Sequence, residues 1–177
     1  MGGLLARAVN HDSAFRARFV GNVSRGEVLP DGGILYVTGS TDFTLNQEGV
    51  EWLRGFVDSG GTLVGDGCHA TPADPFGTAF DRLAKALGRQ LRRVMPGDRT
   101  LWSHHAFGAP PPGAIKTDVG LVLAAEGVIY CASDYGCVLR GGAAAPIPRS
   151  AIHAVEEFAT NLAAIAHERL QSQSFGR

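Results

Sequence analysis

Residues 33–69 read GILYVTGSTDFTLNQEGVEWLRGFVDSGGTLVGDGCH, and this stretch restricts the fold more than any other. Two short runs of β-forming residues, 34–37 and 62–64, flank a segment whose apolar residues recur at helical spacing. That is a β-α-β unit, and two strands joined by a helical crossover lie parallel in one sheet. Asn46 is the expected N-cap of the helix, with Glu48 and Glu51 in its first turns, near the positive end of the dipole. Val50, Leu53, Phe56 and Val57 form the stripe that packs on the sheet, and Trp52 borders it. Gly60 and Gly61 supply a left-handed stop. Each strand runs straight into small and acidic residues, Gly39-Ser40-Thr41-Asp42 and Gly65-Asp66-Gly67-Cys68-His69. In an open parallel sheet such loops emerge side by side at the carboxyl edge, where these folds place ligands.

The rest of the chain fits around this unit. Residues 1–32 form an N-terminal segment: 2–15 predict a short helix with Leu4, Leu5, Ala8 and Val9 on one side, and 15–20 (FRARFV) predict an edge strand. Residues 33–172 form one α/β domain, and 173–177 are a short tail. Thr71-Pro72-Ala73-Asp74 predicts a second helix start, with Thr71 as cap, Pro72 at the first helical position and Pro75 within the first turn. Phe76, Phe80, Leu83, Ala84 and Leu87 form its apolar side, ending at Gly88. Residues 89–94 predict a third strand with a basic outer face, 95–107 an irregular segment or short helix, and 109–113 (APPPG) a rigid loop. Two further β-rich runs, 121–123 and 128–131, are joined by a hairpin turn over 124–127. A surface loop over 141–148 leads into a long helix over 149–171, with Ile152, Val155, Phe158, Ala159, Leu162, Ile165 and Ala166 inward. Asn161 lies among them, where its amide is expected to bond a loop backbone. The alternation of strands and helices gives a three-layer α/β sandwich with a mainly parallel central sheet, flavodoxin-like in type.

Bulk properties narrow the function classes. A chain of 177 residues is expected to be one domain. The net charge of -1 offers no basic excess for nucleic acid. No apolar stretch reaches the ~18 residues of a membrane span. The first 19 residues lack the apolar core of an export signal, so the expected compartment is cytoplasmic. Cys68, Cys131 and Cys137 are odd in number and have no metal-ligand spacing, which argues against a disulfide framework. Gly65-x-Gly67 lacks the third glycine of a dinucleotide fingerprint and no P-loop occurs, so no cofactor is expected.

Two constellations carry chemistry. Cys68 follows a strand and precedes a helix, the layout of a nucleophile elbow, and a helix N-terminus stabilises a thiolate. His104 and His105 are the candidate bases, although no glutamate follows at short spacing to orient either one. Asp66, two residues upstream, opposes thiolate formation. A packed, inert thiol is the weightier alternative. Asp42, Asp66 and Asp134 each follow a strand and, with His69 and His104, offer cation ligands; capping of loop amides is the preferred role, and no metal is expected. Tyr135 is expected in the same cleft, with Cys137 able to approach Cys68. The expected ligand cleft is therefore Ser40, Thr41, Asp42, Asp66, His69, Asp134 and Tyr135.

The order of YVTGSTDFTL, EGVEWLRGFVDSGGTLVGDGC, a helix with Phe80, MPGDRTLW, IYCASDYGC and FATNLAAIA resembles the domain of unknown function 4159. That family lies within the glutamine amidotransferase-like superfamily, and the resemblance covers residues 33–170. The chain departs from it in two places. Ser40-Thr41 stands where the family shows a histidine in a Gly-His-Gly-type sequence, and Arg99-Thr100-Leu101-Trp102 stands where it shows a His-Pro-Leu-Phe-like piece. The resemblance implies a fold and a site location but no reaction. Relatives accompany MoxR-type ATPases and von Willebrand factor A proteins, which implies a protein partner or larger assembly. The expected function is a non-catalytic binding or assembly module on an amidotransferase-like scaffold. The alternatives are a cysteine-dependent hydrolase using Cys68 with His104 or His105 and, more weakly, a metal-dependent hydrolase on the aspartates.

Overall fold

In a computed structural model of the chain, residues 2–24, 26–29, 32–68, 74–114, 120–141 and 146–174 are described. Their elements run α1 (Gly2–Asp12), β1 (Ile34–Gly39), α2 (Gln47–Asp58), β2 (Thr62–Gly67), α3 (Pro75–Ala86) and β3 (Arg92–Arg93). They continue with α4 (Arg99–Trp102), β4 (Val122–Ala125), β5 (Val128–Cys131), α5 (Tyr135–Arg140) and α6 (Arg149–Ser174). The strands form one open mixed sheet in the order β1-β2-β5-β4-β3. β1 pairs with β2 in parallel, from Ile34 opposite Thr62 to Gly39 opposite Gly67. β2 pairs with β5 in parallel, whereas β5 with β4 and β4 with β3 are antiparallel.

The pleat sends alternate residues to opposite faces, and helices cover both. On one face Leu63, Val128 and Tyr130 meet Leu53, Phe56 and Val57 of α2 and Phe76, Phe80 and Leu83 of α3. On the other, Val64, Ile129 and Cys131 meet Leu101 of α4, Tyr135 and Val138 of α5 and Val155, Phe158 and Leu162 of α6. α1 joins this second layer through Leu5, Ala8 and Val9, packed on Ala159. Among the described residues no helix is long and apolar enough to cross a membrane.

The β-α-β unit forms for the anticipated reasons. The Asn46 side chain accepts from Gly49 N at 3.0 Å, and the end of α2 closes with Gly61 N on Phe56 O at 2.9 Å and Gly60 N on Val57 O at 3.2 Å. Gly60 holds φ +99°, so the paired carbonyls are satisfied by the left-handed stop. Trp52 donates its indole N–H to Glu27 O at 2.8 Å, pinning the preceding loop over α2. The hairpin also forms, but β4 extends through Ala125 and the turn is only Glu126-Gly127, with Gly127 at φ +71°.

Other expectations change. α3 begins at Pro75 with Asp74 as its cap, accepting from Gly77 N at 2.6 Å. The residue before a proline is driven from the helical region, so Asp74 caps the helix instead of lying inside it. The expected cap Thr71 and Pro72 lie outside the described residues. Residues 15–20 form no strand: both backbone groups of Ala17 are taken by the Asn10 side chain, each at 2.8 Å. The third strand shrinks to two residues, because Arg89 turns back to Asp58 and to Glu126 O. A short edge strand carrying exposed arginines also resists pairing with another chain.

Candidate functional site

β1 and β2 run parallel and in register to Gly39 and Gly67, so the segments after them leave the sheet at a common edge. Ser40, Thr41 and Asp42 are exposed there. Asp42 turns toward the α3 face, 2.5 Å from Arg82, and Phe43 behind it packs on Phe76. His69 lies outside the described residues.

Asp66 points to the opposite face and is fully buried at 0% exposure. Its carboxylate accepts the Tyr36 hydroxyl at 2.5 Å, Gly136 N at 2.7 Å and Tyr135 N at 3.1 Å. It therefore ties β1 to β2 and receives the first amides of α5. Burial pushes its carboxyl up to about 6, against these hydrogen bonds, which favour the charged form. The same burial and the adjacent carboxylate push the Tyr36 phenol up. Asp134, at φ +51°, caps α5 itself by accepting from Cys137 N at 3.2 Å. Tyr135 is buried and donates its hydroxyl to Pro111 O at 2.8 Å.

Cys68 N bonds Gly39 O at 3.0 Å, which prolongs the ladder and keeps Cys68 on the face of Asp66. Its Sγ lies 3.7 Å from Thr38 Oγ1. Burial, then the hydrogen-bonded Asp134 carboxylate, push the Cys137 thiol up to about 11, and Cys68 adds to the effect, so the two thiols are within electrostatic reach. All three cysteines are free, with Cys131 buried.

The candidate bases belong to a different neighbourhood. Asn161, fully buried on α6, accepts from His104 N at 2.8 Å and His105 N at 2.6 Å, and donates to His105 O at 2.9 Å. This is the loop-bonding role expected for it. The His105 ring places Nε2 2.7 Å from Asp12 Oδ2 and Nδ1 3.7 Å from Glu157 Oε1. The His104 ring lies edge-on to Phe15 and to His105. Both histidines therefore lie where the end of α1 and the loop after α4 meet α6.

The sequence reading does not single out Tyr36 or Tyr130. Tyr130 stacks on Phe80 at 5.3 Å and lies over Gly67, where a Cβ would stand 2.4 Å from its hydroxyl and 3.3 Å from Asp74 Oδ2. A glycine inside a strand is the available signal of such a close approach. Burial first, then the Asp74 and Asp66 carboxylates, push the Tyr130 phenol up. Neither its hydroxyl nor Asp74 Oδ2 makes an aligned hydrogen bond. A cavity of about 330 Å³ lies at the other end of the sheet. Thr62, Glu126, Gly127, Glu168 and Arg169 line it. No protein-family model matches this chain, and no curated protein matches it either.

Proposed function

We propose that this chain is a non-catalytic binding or assembly module. The observation that carries the reading is that the groups a hydrolase would draw on are engaged in holding the fold. Asp66 and Asp134 accept the amides of α5, and Asn161 fastens the His104–His105 backbone to α6. Among the described residues neither carboxylate orients a base beside Cys68, and a thiol without a base is a poor nucleophile at neutral pH.

We take the scaffold as flavodoxin-like and amidotransferase-like, with β1, β2 and β5 as its parallel centre and β4 and β3 as an antiparallel extension. The resemblance to the domain of unknown function 4159 is part of this proposal, as are a cytoplasmic location and a protein partner of the MoxR-type ATPase or von Willebrand factor A kind. The rim of Ser40, Thr41 and Asp42, exposed beside Cys68, is the contact surface in this reading.

Alkylation by iodoacetamide near neutral pH tests it, read by peptide mass spectrometry on the folded chain. The module reading expects Cys68 to react no faster than a simple thiol, with no change in His105→Ala. Much faster alkylation of Cys68, slowed by His105→Ala, would establish a cysteine hydrolase in its place. A pull-down that retains a stoichiometric partner subunit would support the module.

A further inference from the structure

We propose that the junction of the α1 C-terminus with α6 holds a first-row divalent transition cation, liganded by Asp12, His153 and Glu157 and backed by His105 and Thr160. The ligand atoms of Asp12, His153 and Glu157 lie within 4.8 Å of one another. His153 Nε2 and Glu157 Oε1 are 3.3 Å apart. Ligands that share a cation at about 2.0–2.2 Å stand roughly 3–3.5 Å apart. His153 and Glu157 are one helical turn apart on α6, so the helix itself presets this pair. Asp12 arrives from the last residue of α1.

The surroundings of Asp12 are those of a ligand already oriented. Its side chain is 7% exposed. Thr160 donates to Oδ2 at 2.8 Å, and His105 Nε2 lies 2.7 Å from the same oxygen, so the carboxylate is held in place from one side. Ligating carboxylates are commonly held by such outer partners. The His105 side chain, 26% exposed, faces this carboxylate from the loop after α4. Glu156 adds a third carboxylate, 3.9 Å from His153 Nδ1. Among the described residues no lysine or arginine pairs with Asp12, Glu156 or Glu157. The cluster is short of positive charge, and a divalent cation supplies it.

The donor set selects the ion. One imidazole nitrogen with two carboxylate oxygens suits zinc, manganese, iron or cobalt, whereas calcium and magnesium take oxygen ligands. No thiol belongs to the cluster, which separates it from Cys68 and Cys137. His153 is 61% exposed, so the remaining positions face water. A cation here adds to the Thr160–Asp12 bond and to the packing of Leu5, Ala8 and Val9 on Ala159 in holding the end of α1 to α6.

Calorimetric titration of the chelator-treated full chain with Zn²⁺ tests the proposal, with Ca²⁺ as the comparison ion. The expected result is one Zn²⁺ per chain, bound in preference to Ca²⁺ and unaffected by the Cys68→Ser/Cys137→Ser double substitution. His153→Ala, at an exposed position that the fold does not need, should abolish that stoichiometric binding. Thr160→Val should weaken it by about 10- to 100-fold. Hydrogen exchange at the α1 C-terminus should slow on Zn²⁺ addition and recover with chelator. Absence of heat, binding unchanged in His153→Ala, binding lost in the double cysteine variant, or a preference for Ca²⁺ would each overturn the site.

Discussion

Asp66 at the end of β2 and Asp12 at the end of α1 are both acids with side chains nearly out of water, and they differ in how many donors they receive. Asp66 accepts one hydroxyl and two backbone amides, spread over both of its oxygens. Asp12 accepts one hydroxyl, with an imidazole beside it in poor alignment, and both address the same oxygen. A buried carboxylate is tolerated only when its lone pairs are matched. Asp66 is matched by the protein alone, so it has little left to offer a ligand. Asp12 receives its side-chain contacts on one oxygen and has an acidic neighbour in Glu157. The carboxyl edge, which topology nominates as the binding place, has used its acids to fasten a helix. The flank of α6, which topology does not nominate, keeps its own available.

The contrast breaks most visibly at Asp66→Ala. Three donors would lose their acceptor, at about 1–3 kcal/mol each, while the burial penalty of the charge disappears. The expected net loss is about 3 kcal/mol in urea unfolding, with the amides of Tyr135 and Gly136 exchanging faster. A loss below about 1 kcal/mol would show that Asp66 is not the anchor of α5. Asn161→Ala comes next, at about 2 kcal/mol, because it releases the His104 and His105 amides and the His105 carbonyl together. It should also raise exchange over 103–107 while leaving α5 protected, which separates the two regions. Asp134→Gly has the smallest effect, within about 1 kcal/mol of the parent. The lost cap is offset by relief of a left-handed conformation that glycine adopts freely. A loss of several kcal/mol there would place Asp134 alongside Asp66 as an anchor.

The β-α-β unit was legible because its signals agree locally: Asn46 before the helix, an apolar stripe within it and Gly60 after it act over a few residues. The common edge followed from the same unit. Three features were not legible. Ala17 satisfies its backbone through Asn10, a side chain seven residues away, so an alternating pattern did not become a strand. The helix α5, six residues long, rests on the distant Asp66 rather than on its own periodicity. The neighbours of His105 come from α1 and α6, about ninety residues upstream and fifty downstream, and spacing near His104 and His105 carries no trace of them. The one local signal at that flank, His153 and Glu157 four residues apart, is common on solvated helices.

The account rests on Asp66 being a buried carboxylate kept for structure, and the pH dependence of stability reads this directly. Its folded value of about 6 lies above the unfolded ~3.9, so the folded state binds the proton more tightly. The contribution of Asp66 to stability is therefore highest below about pH 4, falls as pH rises through 4 to 6, and is flat above. The expected loss across that window is about 3 kcal/mol, taken as the difference between the parent chain and Asp66→Asn so that other titrating groups cancel. A parent-minus-variant curve that declines over this window supports the account. A flat curve, or one that rises with pH, would contradict it.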